Sequence, residues 1–174
     1  MKQIYILRHA NKNKETGELT DEGIRRAKSM RQVLGNFDLV ITSDKQRRLL
    51  DTAELLSGVN PLIDKRAGIL YVSEDQHKKL GALAKVHPLN HAGAMYEFSE
   101  FEELASANGS GFVSLIKETF EKLPEDGRAL IVAQDAVMVA AERHIGKKVY
   151  QKIEKAYKPL EGFIIDESLH IKQL

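Results

Sequence analysis

The sequence predicts an α/β protein in three layers, with a mainly parallel central sheet and helices on both faces. Three observations carry that prediction. Short apolar runs alternate with stretches of helical periodicity along the chain, the pattern of strands and crossover helices. One run, Ala129 to Ala133, is apolar at every position, as a strand covered on both faces must be. The 174 residues suit one hydrophobic core, and no internal repeat or low-complexity tract interrupts them, so residues 1–174 are expected to form one domain.

In order, Ile4 to Leu7 is the first strand, ending at Arg8-His9, and a polar, Lys-rich loop follows from Asn11 to Glu18. Thr20 can cap the first helix, Asp21 and Glu22 put negative charge in its first turn, and Ile24, Ala27, Met30 and Leu34 recur at helical spacing. Gly35-Asn36 terminates it. Asp38 to Thr42 reads as the second strand, and Leu49, Ala53 and Leu56 mark the next helix, stopped by Ser57-Gly58. A third strand is expected within Pro61 to Tyr71, its length obscured by Gly68. The pattern loosens from Ser73 to Asn108, with a helix at Glu74 to Val86, a His-Pro-Leu-Asn-His turn and an acidic stretch from Glu97 to Glu103. Residues 73–108 are therefore expected to be a cap or insertion over the sheet. Phe112, Leu115, Ile116, Phe120 and Leu123 mark another helix, Pro124 to Gly127 a turn, and a helix pair and a hairpin over Phe163 to Ile171 complete the sheet.

Composition excludes several classes. Apolar types make up 43% and charged types 29% of the chain, close to the globular average. Lys and Arg number 26 against 25 for Asp and Glu, so no global field draws the chain to nucleic acid or an anionic bilayer, and any anion site must be local. With no cysteine, disulfides, thiolate nucleophiles and Cys-ligated zinc are excluded. The apolar run at the N-terminus is too short for a signal peptide or a spanning helix. A cytoplasmic location is the expectation, without nucleic-acid or membrane partners; oligomeric state stays open.

The chemistry-bearing residues stand where strands end, beside helix N-termini. A histidine after the first strand can attack a phosphoryl group through a neutral ring nitrogen while the adjacent guanidinium grips phosphate oxygens. By itself, Arg8-His9 is a common dipeptide and reads more simply as an ordinary polar pair at a loop entrance. Three spaced blocks add to it: Leu7-Arg8-His9-Ala10; Leu19-Thr20-Asp21-Glu22-Gly23 with Ala27; and Ser43, Arg47-Arg48 and Asp51-Thr52-Ala53-Glu54-Leu55-Leu56.

In order and spacing these blocks resemble the histidine phosphatase superfamily, the phosphoglycerate mutase-like fold. Its members carry an R-H-G or R-H-A signature, an L-T-x-x-G block and a block similar to S-P-x-x-R-A-x-x-T-A. The resemblance spans about the first third of the chain. It implies that His9 is the nucleophile that becomes phosphorylated and Arg8 a phosphate ligand. The second phosphate arginine is Arg48 counting back from Thr52-Ala53, or Arg47 counting forward from Ser43. Helix phase favours Arg48, because Leu49, Ala53 and Leu56 leave Arg48 and Thr52, four apart, on one neighbouring face. No cofactor and no metal is implied, and the partner would be a phosphorylated small molecule or phosphoprotein.

The sequence departs from the family at two places. Members have a second histidine, usually within S-H-G, after the strand matching Leu130 to Ala133; here the tripeptide is Ala133-Gln134-Asp135. Gln134 can donate an amide hydrogen bond to a phosphate oxygen but brings no charge and no titratable proton. Losing one well-placed donor removes about 3 kcal/mol of transition-state stabilisation, and Asp135 adds negative charge where an anion must approach. Many members also carry an acidic residue in R-L-x-E, which protonates the leaving oxygen; the nearest match, Arg66-Ala67-Gly68-Ile69, has isoleucine there.

Among possible substitutes, His87 and His91 flank Pro88, and a loop there could present one imidazole to the phosphate, although two surface histidines account for them more simply. The pair lacks a third ligand for zinc. The glutamates from Glu97 to Glu103 read as a solvated face. Lys12, Asn13 and Lys14 follow His9 and can contact substrate anions, while loop solubility explains them equally well. Two readings follow. One is a metal-independent phosphatase working through phospho-His9, with reduced activity; the other is a catalytically degenerate phosphate-binding or regulatory domain of the same fold.

Overall fold

The computed structural model describes residues 1–174. The strands are β1 (Gln3–Arg8), β2 (Leu39–Thr42), β3 (Leu62–Ile63), β4 (Arg128–Ala133), β5 (Gly162–Asp166) and β6 (Ile171–Gln173). The helices are α1 (Asp21–Leu34), α2 (Arg47–Ser57), α3 (Glu74–Val86), α4 (Asn90–Glu97), α5 (Glu102–Lys122) and α6 (Asp135–Ile145). One sheet joins all six strands in the order β3-β2-β4-β1-β5-β6. The first four are parallel, and β5 pairs antiparallel with both β1 and β6.

Strand periodicity divides the core into two layers. In β4, Leu130 and Val132 face α1 and α2, where Ala27, Leu34, Leu49, Ala53 and Leu56 are buried. Ala129, Ile131 and Ala133 point the other way, toward Phe112 and Ile116 of α5 and Val137 of α6. Each fully buried Leu, Ile or Phe in these layers contributes about 1.5–3 kcal/mol of transfer free energy. The α/β/α sandwich read from the apolar alternation is the observed architecture.

Three elements differ from expectation. The third strand is two residues long, because the Asp64 carboxylate accepts from Arg66 N–H at 2.9 Å and caps a 3-10 turn over Lys65–Ala67. The helix expected from Phe112 begins ten residues earlier. Gly109 lies inside it, where a Cβ would stand 2.6 Å from the Ala140 carbonyl oxygen, so this glycine permits close packing on α6 rather than ending the helix. Only one helix, α6, follows β4. After it the chain runs irregularly to the end of β1, where Arg8 N–H bonds Glu161 O at 2.9 Å and Leu160 N–H bonds Arg8 O at 3.2 Å. The segment 73–108 forms α3, α4 and the first turns of α5, with Leu80, Ala84 and Met95 buried in the α5 and α6 layer. No helix is long and apolar enough to cross a membrane.

Candidate active site

Parallel pairing sets Arg8 of β1 opposite Ala133 of β4. The next residues, His9 and Gln134, therefore emerge at the same carboxyl edge of the sheet, where α6 starts.

His9 is 3% exposed. Its Nδ1 lies 2.8 Å from Ala10 O, and its Nε2 lies 3.1 Å from Arg48 Nε. A carbonyl only accepts and a guanidinium only donates, so one tautomer satisfies both contacts: Nδ1–H donates to Ala10 and Nε2 keeps its lone pair. Burial pushes the imidazole down to about 3, reinforced by the positive charges of Arg48, Arg8 and Lys12 and opposed by the Ala10 contact. At neutral pH the ring is uncharged, with the lone pair of Nε2 held beside a guanidinium.

Arg48 is 8% exposed at the start of α2. One turn on, the buried Thr52 hydroxyl donates to Arg48 O at 2.7 Å and accepts from Ala10 N–H at 3.1 Å. That threonine joins the arginine helix to the loop carrying His9, which gives the third sequence block its structural meaning. Arg47 points outward and pairs with Asp51 at 2.7 Å on the surface. The structure thus brings Arg48, and not Arg47, to the histidine. The second block acts on the same loop. Thr20 caps α1 by accepting from Gly23 N–H at 3.1 Å, and a Cβ on Gly23 would stand 2.5 Å from Asn11 O.

Arg8 donates through Nη1 to Tyr157 O and places Nη2 3.5 Å from Asp135 Oδ2. Arg8 Nε and Asp135 Oδ2 are both buried without a hydrogen-bond partner in the chain. Such groups are costly unless a ligand completes them.

Gln134 is engaged elsewhere. Its Oε1 accepts from Ile69 N–H at 2.7 Å, its Nε2 donates to Gln46 Oε1 at 3.0 Å, and its backbone N–H meets Ala67 O at 3.1 Å. One amide proton of Nε2 remains uncommitted. Ile69 is fully buried and Arg66 is forked between Asp64 and Glu118, so no carboxylate enters from that stretch.

Burial and the charges of the cluster together lower the pKa of two further groups. Lys12, half-buried, has its pKa lowered by burial and by Arg48 and Arg8, with Asp135 opposing. His91, near the start of α4, is lowered mainly by burial; Asp135 opposes, and Lys12, Arg48 and Arg8 add to the lowering. His87 turns away, accepting from Leu89 N–H at 3.0 Å and standing 3.8 Å from Glu97. Glu97 pairs with Lys152, and Glu100 with Lys79, at the surface. No group of three or more His, Cys, Asp or Glu side chains converges as metal ligands. A separate hollow beside α6, lined by Glu142, Arg143, Lys148, Lys152 and Tyr157 among others, excludes His9, and its mixed charges single out no ligand.

Solved structures of similar shape decide the fold. A mycobacterial glucosyl-3-phosphoglycerate phosphatase aligns over 99% of this chain and 97% of its own, with a TM-score of 0.69 and 19% identity. A phosphoglycerate mutase from Bacillus anthracis aligns over 99% and 92%, with a TM-score of 0.61 and 15% identity. A mutant phosphoserine phosphatase from Entamoeba histolytica, in complex with phosphoserine, aligns over 99% and 95%, with a TM-score of 0.61 and 17% identity. The chain has the histidine phosphatase fold. No protein-family model matches the sequence, and no curated protein does.

On this histidine phosphatase fold the cluster holds the cations of Arg8, Arg48 and Lys12 against the carboxylate of Asp135. The excess is positive and local in a chain of formal net charge +1, the polarity a phosphoryl dianion requires.

Proposed function

We propose that the chain is a phosphatase that hydrolyses a phosphate monoester or phosphoprotein through a phosphohistidine on His9, without a metal. The contact of Arg48 Nε with His9 Nε2 at 3.1 Å carries this reading. It fixes the lone pair on the nitrogen that would attack, within reach of a guanidinium that can hold the oxygens of the group attacked. In the first step Nε2 forms a bond to phosphorus as the ester P–O bond breaks, and the leaving oxygen takes a proton. In the second, water attacks phosphorus, the P–N bond breaks, its electron pair returns to Nε2, and phosphate leaves. Arg8 and Arg48 hold the equatorial oxygens, where charge spreads in the transition state. Ala10 O orients the ring throughout. Support also comes from the mycobacterial phosphatase of this fold, whose structures include complexes with VO3 and inorganic phosphate.

The degenerate binding domain is the second reading, favoured by Gln134, whose amide is committed to Ile69 and Gln46. The two are separated by trapping. After mixing with an aryl phosphate and quenching in alkali, the enzyme yields an acid-labile phosphoprotein that His9→Ala does not form. A parent protein that binds orthophosphate but neither turns over nor becomes labelled is the binding domain.

A further inference from the structure

Only two buried side-chain polar atoms in the chain lack a hydrogen-bond partner, and they belong to one pair of side chains: Arg8 Nε, a donor, and Asp135 Oδ2, an acceptor. The two side chains are 11% and 6% exposed, and Arg8 Nη2 lies 3.5 Å from Asp135 Oδ2. Arg8 Nη1 donates to Tyr157 O, and Asp135 Oδ1 accepts from Ala136 N–H at 2.9 Å. The pair stands at the sheet edge that carries His9. There the His9 backbone N–H donates to Ala133 O at 3.3 Å, two residues before Asp135, and Arg48 reaches the His9 ring from α2 at 3.1 Å. Buried polar groups left open by the chain are completed by a ligand or remain costly. One small group spanning this pair would complete both, provided that it offers an acceptor to Arg8 and a donor to Asp135. A bare oxyanion fails, because its oxygens only accept and one of them would meet the carboxylate with no proton between them. A cation would satisfy Asp135 but meet the Arg8 guanidinium.

We propose that Asp135 makes the site selective for a phosphoryl group that carries one proton: hydrogenphosphate among inorganic anions, and a phosphate monoester in its singly charged form. Arg8 Nε–H donates to an unprotonated oxygen of the ligand, and Asp135 Oδ2 accepts from its P–OH. This rests on the reading above that the His9 pocket takes a phosphoryl group. Such a proton is available near neutrality, since the second pKa of a phosphate monoester is about 6. Sulfate has the same tetrahedral shape but no proton at neutral pH, and it is rejected. Coulomb repulsion by the carboxylate would not make this distinction, because it disfavours every anion of equal charge alike. The hydrogen bond does, because it needs a donor on the ligand.

Isothermal titration of the full chain at neutral pH, with orthophosphate and with sulfate, tests this. The parent is expected to prefer orthophosphate by at least about a hundredfold, as sites built to hydrogen-bond a ligand hydroxyl do. Asp135→Asn keeps an oxygen for Ala136 N–H and presents an amide that can accept or donate. In that variant the preference is expected to fall below about fivefold, chiefly through tighter sulfate, because an oxygen without a proton now finds a donor. A parent preference within about fivefold overturns the proposal whether or not the variant folds. An equal gain for both anions in Asp135→Asn also overturns it, since that is the result of lost repulsion alone. A parent that binds neither anion, or whose orthophosphate affinity survives Arg48→Met, overturns instead the reading of this pocket as a phosphoryl site.

Discussion

Arg48 Nε donates to His9 Nε2 across 3.1 Å, so the lone pair of a buried imidazole and a buried guanidinium are each other's partners. The contact commits the imidazole to one tautomer without charging it. It also keeps a buried guanidinium hydrogen-bonded in the resting protein, which limits the penalty of holding it there.

The two adjacent arginines are expected to respond oppositely to substitution. Arg48→Met should weaken orthophosphate binding at least tenfold and remove turnover, since a buried charge-assisted contact is lost. Arg47→Met removes an exposed pair with Asp51, worth about 0–1 kcal/mol, and should leave affinity within about twofold. Isothermal titration with orthophosphate reads both.

Asp135 lies 3.5 Å from Arg8 Nη2 and competes with a phosphoryl oxygen for it. Asp135→Asn is expected to tighten orthophosphate binding severalfold. Weaker phosphate binding in this variant would contradict the placement of the carboxylate.

Acid should destabilise the protein through His9. Its native pKa is lowered from 6.5 to about 3, so below 6.5 the unfolded chain takes up a proton that the native ring refuses. The stability this contributes is fully present above pH 6.5 and is lost as pH falls toward 3, with a slope of up to about 1.4 kcal/mol per pH unit from this group. Urea midpoints measured from pH 7 to 4 are expected to fall less steeply in His9→Gln than in the parent.

Thr52→Val should cost about 1–3 kcal/mol, because it leaves Ala10 N–H buried without its acceptor. The same change frees the loop carrying His9, so kcat should fall along with the thermal midpoint. A variant that unfolds like the parent would show that the hydroxyl does not hold this loop.

Residues 7–56 were the legible part of the molecule, because the site there is built from neighbours in sequence. The strand end sets His9, the Thr20 cap and Gly23 set the loop behind it, and helix phase chooses Arg48 over Arg47. The sandwich was legible for the same reason, since its alternating apolar faces are local patterns. The short third strand was not, because a side-chain cap from Asp64 diverts the chain and periodicity does not register caps. The engagement of Gln134 with Ile69 and Gln46 is a tertiary contact that an isolated Ala-Gln-Asp tripeptide does not announce.

Ring orientation in His9 depends on the carbonyl of the very next residue, Ala10. Every amino acid carries that carbonyl, so no point substitution can delete the acceptor or exchange it for a stronger one. An engineer wishing to retune this imidazole would have to work through its packing or through the guanidinium on its far side, and natural drift is confined to the same two handles.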